Sequence, residues 1–167
     1  WRILRWLAPI VTAVHGYGFI AAAARTNSAS GKGYRETMNI AICPGSFDPV
    51  TYGHLDIIRR AAMMFDKVIV LVMTNSSKKP LFTKAERMDF LHRATSGLSN
   101  VEVDAYGGLL AEYAREKNAQ VLVKGLRAMS DFEYEFQMAL TNRKLNPDAE
   151  TVFLTTTAEH MYLSSSL

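Results

Sequence analysis

From residue 39 onward the sequence predicts an α/β fold, a parallel sheet with helices on both faces. Three observations lead there. Five short apolar runs are separated by stretches of helical spacing, the alternation that produces parallel strands joined by crossover helices. Val68-Ile69-Val70-Leu71-Val72 is continuously apolar, as a strand covered on both faces must be. Helix-start signals, Thr83 with Glu86 and Ser130 with Glu133, fall between the apolar runs.

Taken in order, residues 39–43 form the first strand, and residues 55–65 a helix with Leu55, Ile58, Ala62 and Phe65 on one face. Residues 67–74 are the second strand. The Thr83/Glu86 capping box opens a helix that reaches about residue 95. Residues 101–105 form the third strand, 109–117 the third helix and 121–123 the fourth strand. Ser130 and Glu133 form a second capping box, and Asn146-Pro147 stops the helix after residue 145. Residues 151–155 are the fifth strand, and 162–166 read as the start of a last helix. The expected architecture is a Rossmann-like, doubly wound five-stranded parallel sheet with helices on both faces and the C-terminal helices missing. Ligands of such sheets bind beyond the carboxyl ends of the strands, at the switch point of strand order. There is no internal repeat. Fold alone assigns no function.

Composition narrows the classes. A chain of 167 residues fits one domain, and 49% hydrophobic with 21% charged residues excludes wholesale disorder. A single cysteine, Cys43, forbids an intrachain disulfide and points to a reducing, cytoplasmic setting. No Cys/His cluster has zinc-site spacing, and no apolar run reaches the roughly 18 residues a membrane helix needs. The net charge is +3, but Arg2, Arg5, Arg25, Lys32 and Arg35 against Glu36 place +4 in residues 1–37, which leaves −1 for the rest. A nucleic-acid surface is disfavoured on that ground.

Residues 1–37 show no sustained strand or helix period and end in the linker-like run Thr26-Asn27-Ser28-Ala29-Ser30-Gly31-Lys32-Gly33. They read as a leader outside the domain, disordered or upstream read-through, with Met38 as the start of the domain over 38–167. A transit peptide is the alternative, because the segment is basic and almost free of acids.

The chemistry sits after the first strand, in Pro44-Gly45-Ser46-Phe47-Asp48-Pro49-Val50-Thr51-Tyr52-Gly53-His54. Gly45 permits close backbone approach to a ligand. The Ser46 hydroxyl and nearby amides can donate to phosphate oxygens, and His54 lies in the first turn of a helix, where the dipole favours an anion. A lone histidine at a helix start is more often a plain turn feature. Gly, Ser, Asp and His together in one switch-point loop shift the reading to phosphate handling. Neither a P-loop lysine nor a G-x-G-x-x-G fingerprint is present there.

Thr51-Tyr52-Gly53-His54 resembles the T/H-x-G-H motif of the nucleotidylyltransferase superfamily, and residues 44–54 resemble phosphopantetheine adenylyltransferases of the bacterial type. Three later segments are similar to that family's motifs in the same order. They are Ser76-Ser77-Lys78-Lys79-Pro80-Leu81-Phe82-Thr83, the stretch from Lys124-Gly125-Leu126-Arg127 to Asp131-Phe132-Glu133-Tyr134-Glu135, and Leu163-Ser164-Ser165-Ser166. The resemblance implies an enzyme of coenzyme A biosynthesis that moves the adenylyl group of ATP onto 4′-phosphopantetheine, by in-line attack without a covalent intermediate. The alternatives are a non-catalytic nucleotide-binding module of like fold and another T-x-G-H transferase with a different phosphate acceptor.

The resemblance also implies roles. His54 stabilises the transition state, with Lys78 and Arg127 supplying positive charge. Ser46, Phe47, His54, Gly125, Leu126, Arg127, Glu135 and the stretch His160, Met161, Tyr162, Leu163, Ser164, Ser165 and Ser166 meet ATP. Ser46, Lys78, Leu110 and Lys124 meet phosphopantetheine. Mg2+ is expected with ATP rather than on a protein-held metal site. A homohexamer and feedback binding of coenzyme A are expected as well. Two departures stand out: Lys124 occupies a position where the family usually has arginine, and the chain ends at Leu167, where the family continues, so the expected domain is C-terminally truncated. Asp48 and Cys43 read as turn and packing residues, Leu110 equally as helix core, and Glu133 as a cap.

Overall fold

The computed structural model describes residues 38–74, 79–126 and 129–155. The expected leader at 1–37 and the start of a last helix at 162–166 lie outside these residues. In chain order the elements are β1 (Ile40–Gly45), α1 (Tyr52–Met64), β2 (Lys67–Met73), α2 (Lys84–Thr95), β3 (Val101–Tyr106), α3 (Leu110–Glu116), β4 (Val121–Leu126), α4 (Met129–Leu145) and β5 (Glu150–Thr155). The five strands form one parallel sheet in the order β3-β2-β1-β4-β5. The chain builds outward from β1 to β3, crosses back, and builds outward again on the other side. Crossovers of one hand then place their helices on opposite faces of the two halves.

The period of two along each strand divides the core accordingly. Ala41 and Cys43 of β1, with Val68, Val70 and Val72 of β2, pack against Leu55, Ile58 and Ala61 of α1 and Leu91 of α2. Ile42, Ile69, Leu71 and Leu122 point the other way, to Tyr113 and Ala114 of α3. Val68 to Val72 are all buried, as their uninterrupted apolar run requires.

The ladders fix where the sheet opens. β1 and β4 pair at Ala41↔Val121 and Ile42↔Leu122. Farther along, β1 keeps its pairing with β2 to Gly45↔Val72, and β4 keeps its pairing with β5 to Leu126↔Thr155. Pro44 has no N–H to give a ladder. The carboxyl halves of the two central strands therefore belong to their outer neighbours, at the switch point of the sheet.

Three boundaries differ from the sequence reading. β1 and β4 run on to Gly45 and Leu126, so Lys124 and Gly125 are strand residues rather than loop residues after a strand. The outer neighbours β2 and β5 supply the partners that extend them. α1 begins at Tyr52, ahead of its apolar stripe, because Thr51 caps it. Glu133 of α4 is exposed, and the expected Ser130/Glu133 box rests on a Ser130 side chain outside the described residues. The Thr83/Glu86 box at the head of α2 is present, with both reciprocal bonds made.

Leu71 is fully buried on β2. Leu71→Ala is expected to lower the unfolding free energy by about 2–5 kcal/mol in a denaturant titration, since it removes transfer energy and leaves a cavity. A loss below about 1 kcal/mol would mean that this layer repacks freely.

Candidate active site at the switch point

A cleft of about 290 Å³, counting the part open to solvent, lies where β1 and β4 part. It is lined by Cys43, Pro44, Phe47, His54, Ile57, Ile58, Val123 and Gly125. Glycines on its two flanking strands leave little room for a side chain. A Cβ on Gly45 would stand 2.9 Å from the Phe47 ring, and one on Gly125 would stand 3.0 Å from Ile57 Cγ1. The β1 loop and α1 thus close on their strands as tightly as backbone allows.

Phe47 sets the shape of the loop. Its φ is +47°, in the left-handed region that a bulky residue seldom enters. Burial of its ring to 3% exposure offsets that strain, and the ring meets the His54 imidazole edge-on at 5.1 Å between centroids. Ser46, one residue earlier, is exposed, and Asp48, one residue later, is half-buried.

His54 is held from its other side by Thr51. The Thr51 backbone N–H donates to His54 Nδ1 at 3.0 Å, the Thr51 hydroxyl lies 3.0 Å from the same nitrogen, and the His54 N–H donates back to Thr51 Oγ1 at 3.4 Å. This is a capping box with histidine in the place usually taken by glutamate or glutamine. Because Nδ1 accepts from the backbone, the ring proton of the neutral imidazole belongs on Nε2. The T-x-G-H spacing is therefore both a helix start and a device that selects one tautomer.

The loop is tied to α2 in two directions. The Asp48 carboxylate accepts from the backbone N–H groups of Leu81 at 2.7 Å and Phe82 at 2.8 Å. In return, Arg87 Nη1 donates to the Ser46 carbonyl at 2.8 Å. Arg87 is 4% exposed. Removal from solvent acts upward on the Asp48 carboxyl, but the Phe82 and Leu81 N–H groups and the Arg87 guanidinium together hold it below the ordinary aspartate value.

Of the residues expected at a site, the structure brings Ser46, Phe47, His54 and Gly125 to the switch-point cleft or its loop. Leu126 ends β4 and is half-buried. Lys124 and Glu135 are brought together: Lys124 Nζ lies 3.1 Å from Glu135 Oε2, with both side chains about one-fifth exposed (22% each). Glu135 is thus a partnered carboxylate facing β4 rather than a solvated one. Leu110, the first residue of α3, is partly buried and packs against the opposite core cluster, which includes Leu71 and Tyr113. Lys78, Arg127 and His160 to Ser166 lie outside the described residues.

Two residues escaped the sequence reading. Arg87 shares the buried stripe of α2 with Leu91 and Thr95, and a cation at the head of such a stripe signals a demand for a buried partner. Arg60 of α1 pairs with Asp56 at 3.2 Å and donates to the Thr155 carbonyl at the end of β5 at 2.7 Å. No local pattern predicts that bond, since its acceptor is backbone far along the chain.

Comparison with known proteins agrees with this fold. The cytidylyltransferase-like family model matches residues 42–167. The chain is 60% identical over 130 residues to a phosphopantetheine adenylyltransferase of Caldanaerobacter subterraneus, covering 78% of this chain and 81% of that protein. It is 58% identical over 129 residues to the enzyme of the same name from Clostridium tetani, covering 77% and 81%. Among solved structures it is similar in fold to a Plasmodium falciparum nicotinic acid mononucleotide adenylyltransferase complexed with APC, with TM-score 0.56, 14% identity and coverage of 78% of this chain and 81% of that one. A lipopolysaccharide core biosynthesis protein from Thermoplasma volcanium gives TM-score 0.53 at 19% identity, covering 72% and 98%.

Two outcomes follow from the ionisable groups at the cleft. Burial to 3% exposure pushes the Cys43 thiol up to about 12, so native protein at pH 8 is expected to resist iodoacetamide and to react fully once unfolded. Alkylation of the native chain at the unfolded rate would contradict this. Because the Asp48 carboxyl is lowered in the folded state, its contribution to stability is present above the ordinary aspartate pKa and lost as the pH falls through the lowered one. Asp48→Asn is therefore expected to be less stable than the natural protein at pH 7, with the gap closing in strong acid; a gap independent of pH would refute the assignment.

Proposed function

The chain belongs to the phosphopantetheine adenylyltransferase family, and on that premise we propose that it transfers the adenylyl group of ATP to 4′-phosphopantetheine, forming dephospho-coenzyme A and pyrophosphate. The observation that carries the reading is His54: a cleft-lining imidazole whose Nδ1 accepts from Thr51, which assigns the proton to Nε2. That N–H donates to an α-phosphate oxygen as charge gathers there in the transition state. An oxygen of the pantetheine phosphate attacks the α-phosphorus, the bond to the bridging oxygen breaks in line, and pyrophosphate leaves with the electron pair. No side chain forms a bond to phosphorus. Cys43, the buried thiol beside the cleft, is kept protonated and takes no part.

The other roles belong to the same proposal. Ser46, with the Phe47 backbone beside it, holds phosphate between the two substrates. Lys78 and Lys124 take the acceptor's phosphate, and the ion pair with Glu135 holds the Lys124 ammonium in place until phosphate competes for it. Gly125, Leu126, Arg127, Glu135 and the stretch 160–166 serve ATP, and Leu110 serves the pantetheine arm. ATP is taken as its Mg2+ complex. The two oxygens of Asp48, the acid of the signature loop, are both engaged by backbone N–H groups, and the described residues contain no group of three or more His, Cys, Asp or Glu side chains that could hold a metal. Homohexameric assembly, feedback binding of coenzyme A and a cytoplasmic location rest on the family resemblance and on the use of ATP.

The test is pyrophosphate release from ATP, Mg2+ and 4′-phosphopantetheine. Turnover is expected with this acceptor; ATP binding without release, or equal rates with unrelated phosphate acceptors, would overturn the proposal. His54→Ala is expected to lower kcat by about 10²- to 10³-fold, the cost of one transition-state donor. ATP affinity is expected to stay within about threefold, because the lost interaction is made in the transition state. Parallel loss of ATP affinity with kcat retained would remove His54 from that role.

A further inference from the structure

The bonds between the β1 loop and α2 form a closed circuit whose purpose is not explained by packing. Asp48 accepts from Leu81 and Phe82, just ahead of α2. Arg87, one turn into the helix, donates to the Ser46 carbonyl. Between those two anchor points sits Phe47, with its positive φ, its ring under Gly45 and its edge on His54. The α2 end of the circuit is itself stiff, because Thr83 N–H donates to Glu86 at 2.8 Å and Glu86 N–H donates to Thr83 Oγ1 at 3.3 Å. A guanidinium buried to 4% exposure, with its Nε making no hydrogen bond, is a costly way to join a loop to a helix. An apolar side chain of similar volume would hold the same elements together at least as firmly. What the apolar residue cannot do is fix the Ser46 carbonyl, and with it the direction of the peptide that leads into Phe47.

We propose that Arg87 and Asp48 form a reciprocal strap that sets the backbone of Ser46 and Phe47 and, through the Phe47 ring, the position of the His54 imidazole, which makes Arg87 a positioning residue for adenylyl transfer. The proposal rests on the functional reading above. It requires that loss of the strap act on the reacting geometry and not on ground-state binding, because small displacements of reacting groups cost rate far more than affinity.

Arg87→Met keeps the volume and removes the donor. It is expected to lower kcat by about 10- to 100-fold, the penalty for a misplaced reacting group. The KM values for ATP and 4′-phosphopantetheine are expected to stay within about threefold, as for an interaction expressed in the transition state. Arg87→Lys, which keeps a charge and a shifted donor, is expected to recover part of kcat. The double variant Asp48→Asn with Arg87→Met is expected to be no slower than the worse single variant, because the two residues act as one unit. A folded Arg87→Met enzyme with kcat within about twofold of the natural protein, or losses that multiply in the double variant, overturns the strap. If Arg87→Met does not fold, Arg87→Lys decides: lowered kcat at unchanged KM supports the strap, and unchanged kcat overturns it. If the natural protein releases no pyrophosphate, the functional reading has failed, and hydrogen exchange across residues 44–54 judges the strap alone. Faster exchange in Arg87→Met or Arg87→Lys supports it, and unchanged exchange overturns it.

Discussion

Strands β1 and β4 share a ladder at Ala41↔Val121 and Ile42↔Leu122, and past those residues each continues with its outer neighbour. A parallel sheet wound outward in two directions from its centre has one place where successive crossovers leave on opposite sides, and that is where this ladder ends. The cleft, the loop that overhangs it and the first turn of α1 all occupy the space so opened. Gly45 and Gly125 lie one on each side of the gap, each where a methyl group would collide with a neighbour.

The chemistry assigned to the cleft uses little beyond placement. An imidazole that must give a hydrogen bond to a phosphate oxygen needs its other nitrogen occupied by a donor, and the N-cap of α1 supplies one from backbone. A cap made with glutamate would satisfy the helix equally well and would set a negative charge beside the phosphates. Under the proposed function, histidine at this position serves the helix and the reaction at once. Lys124 and Glu135 show a similar economy: the Lys124 cation, which the proposed function assigns to phosphate, is kept partly buried by a carboxylate from the next helix.

Much of this was legible in the sequence because it is local. The apolar runs at Val68–Val72 and Val121–Val123 place strands β2 and β4, and Thr83 with Glu86 places the start of α2. The loop from Pro44 to His54 is contiguous, so residue types alone single it out as the candidate site. What escaped is what depends on partners distant in sequence. The ends of β1 and β4 are decided by β2 and β5, which no window around Gly45 or Gly125 contains. Arg87 sits forty-one positions from the carbonyl it binds, and its only local signal is a charge on a buried stripe. The T-x-G-H motif itself carried a capping box that residue preferences for glutamate and glutamine concealed.

The central claim is that this loop aligns one phosphate on another for a single displacement, with no bond to the protein along the way. The stereochemistry at the α-phosphorus tests it most directly. The protein is supplied with ATP bearing a chiral α-phosphorothioate and with 4′-phosphopantetheine, and the configuration of the product is determined. One in-line attack predicts inversion at phosphorus. Retention would require two displacements and a covalent adenylyl-protein species, and it would contradict the account.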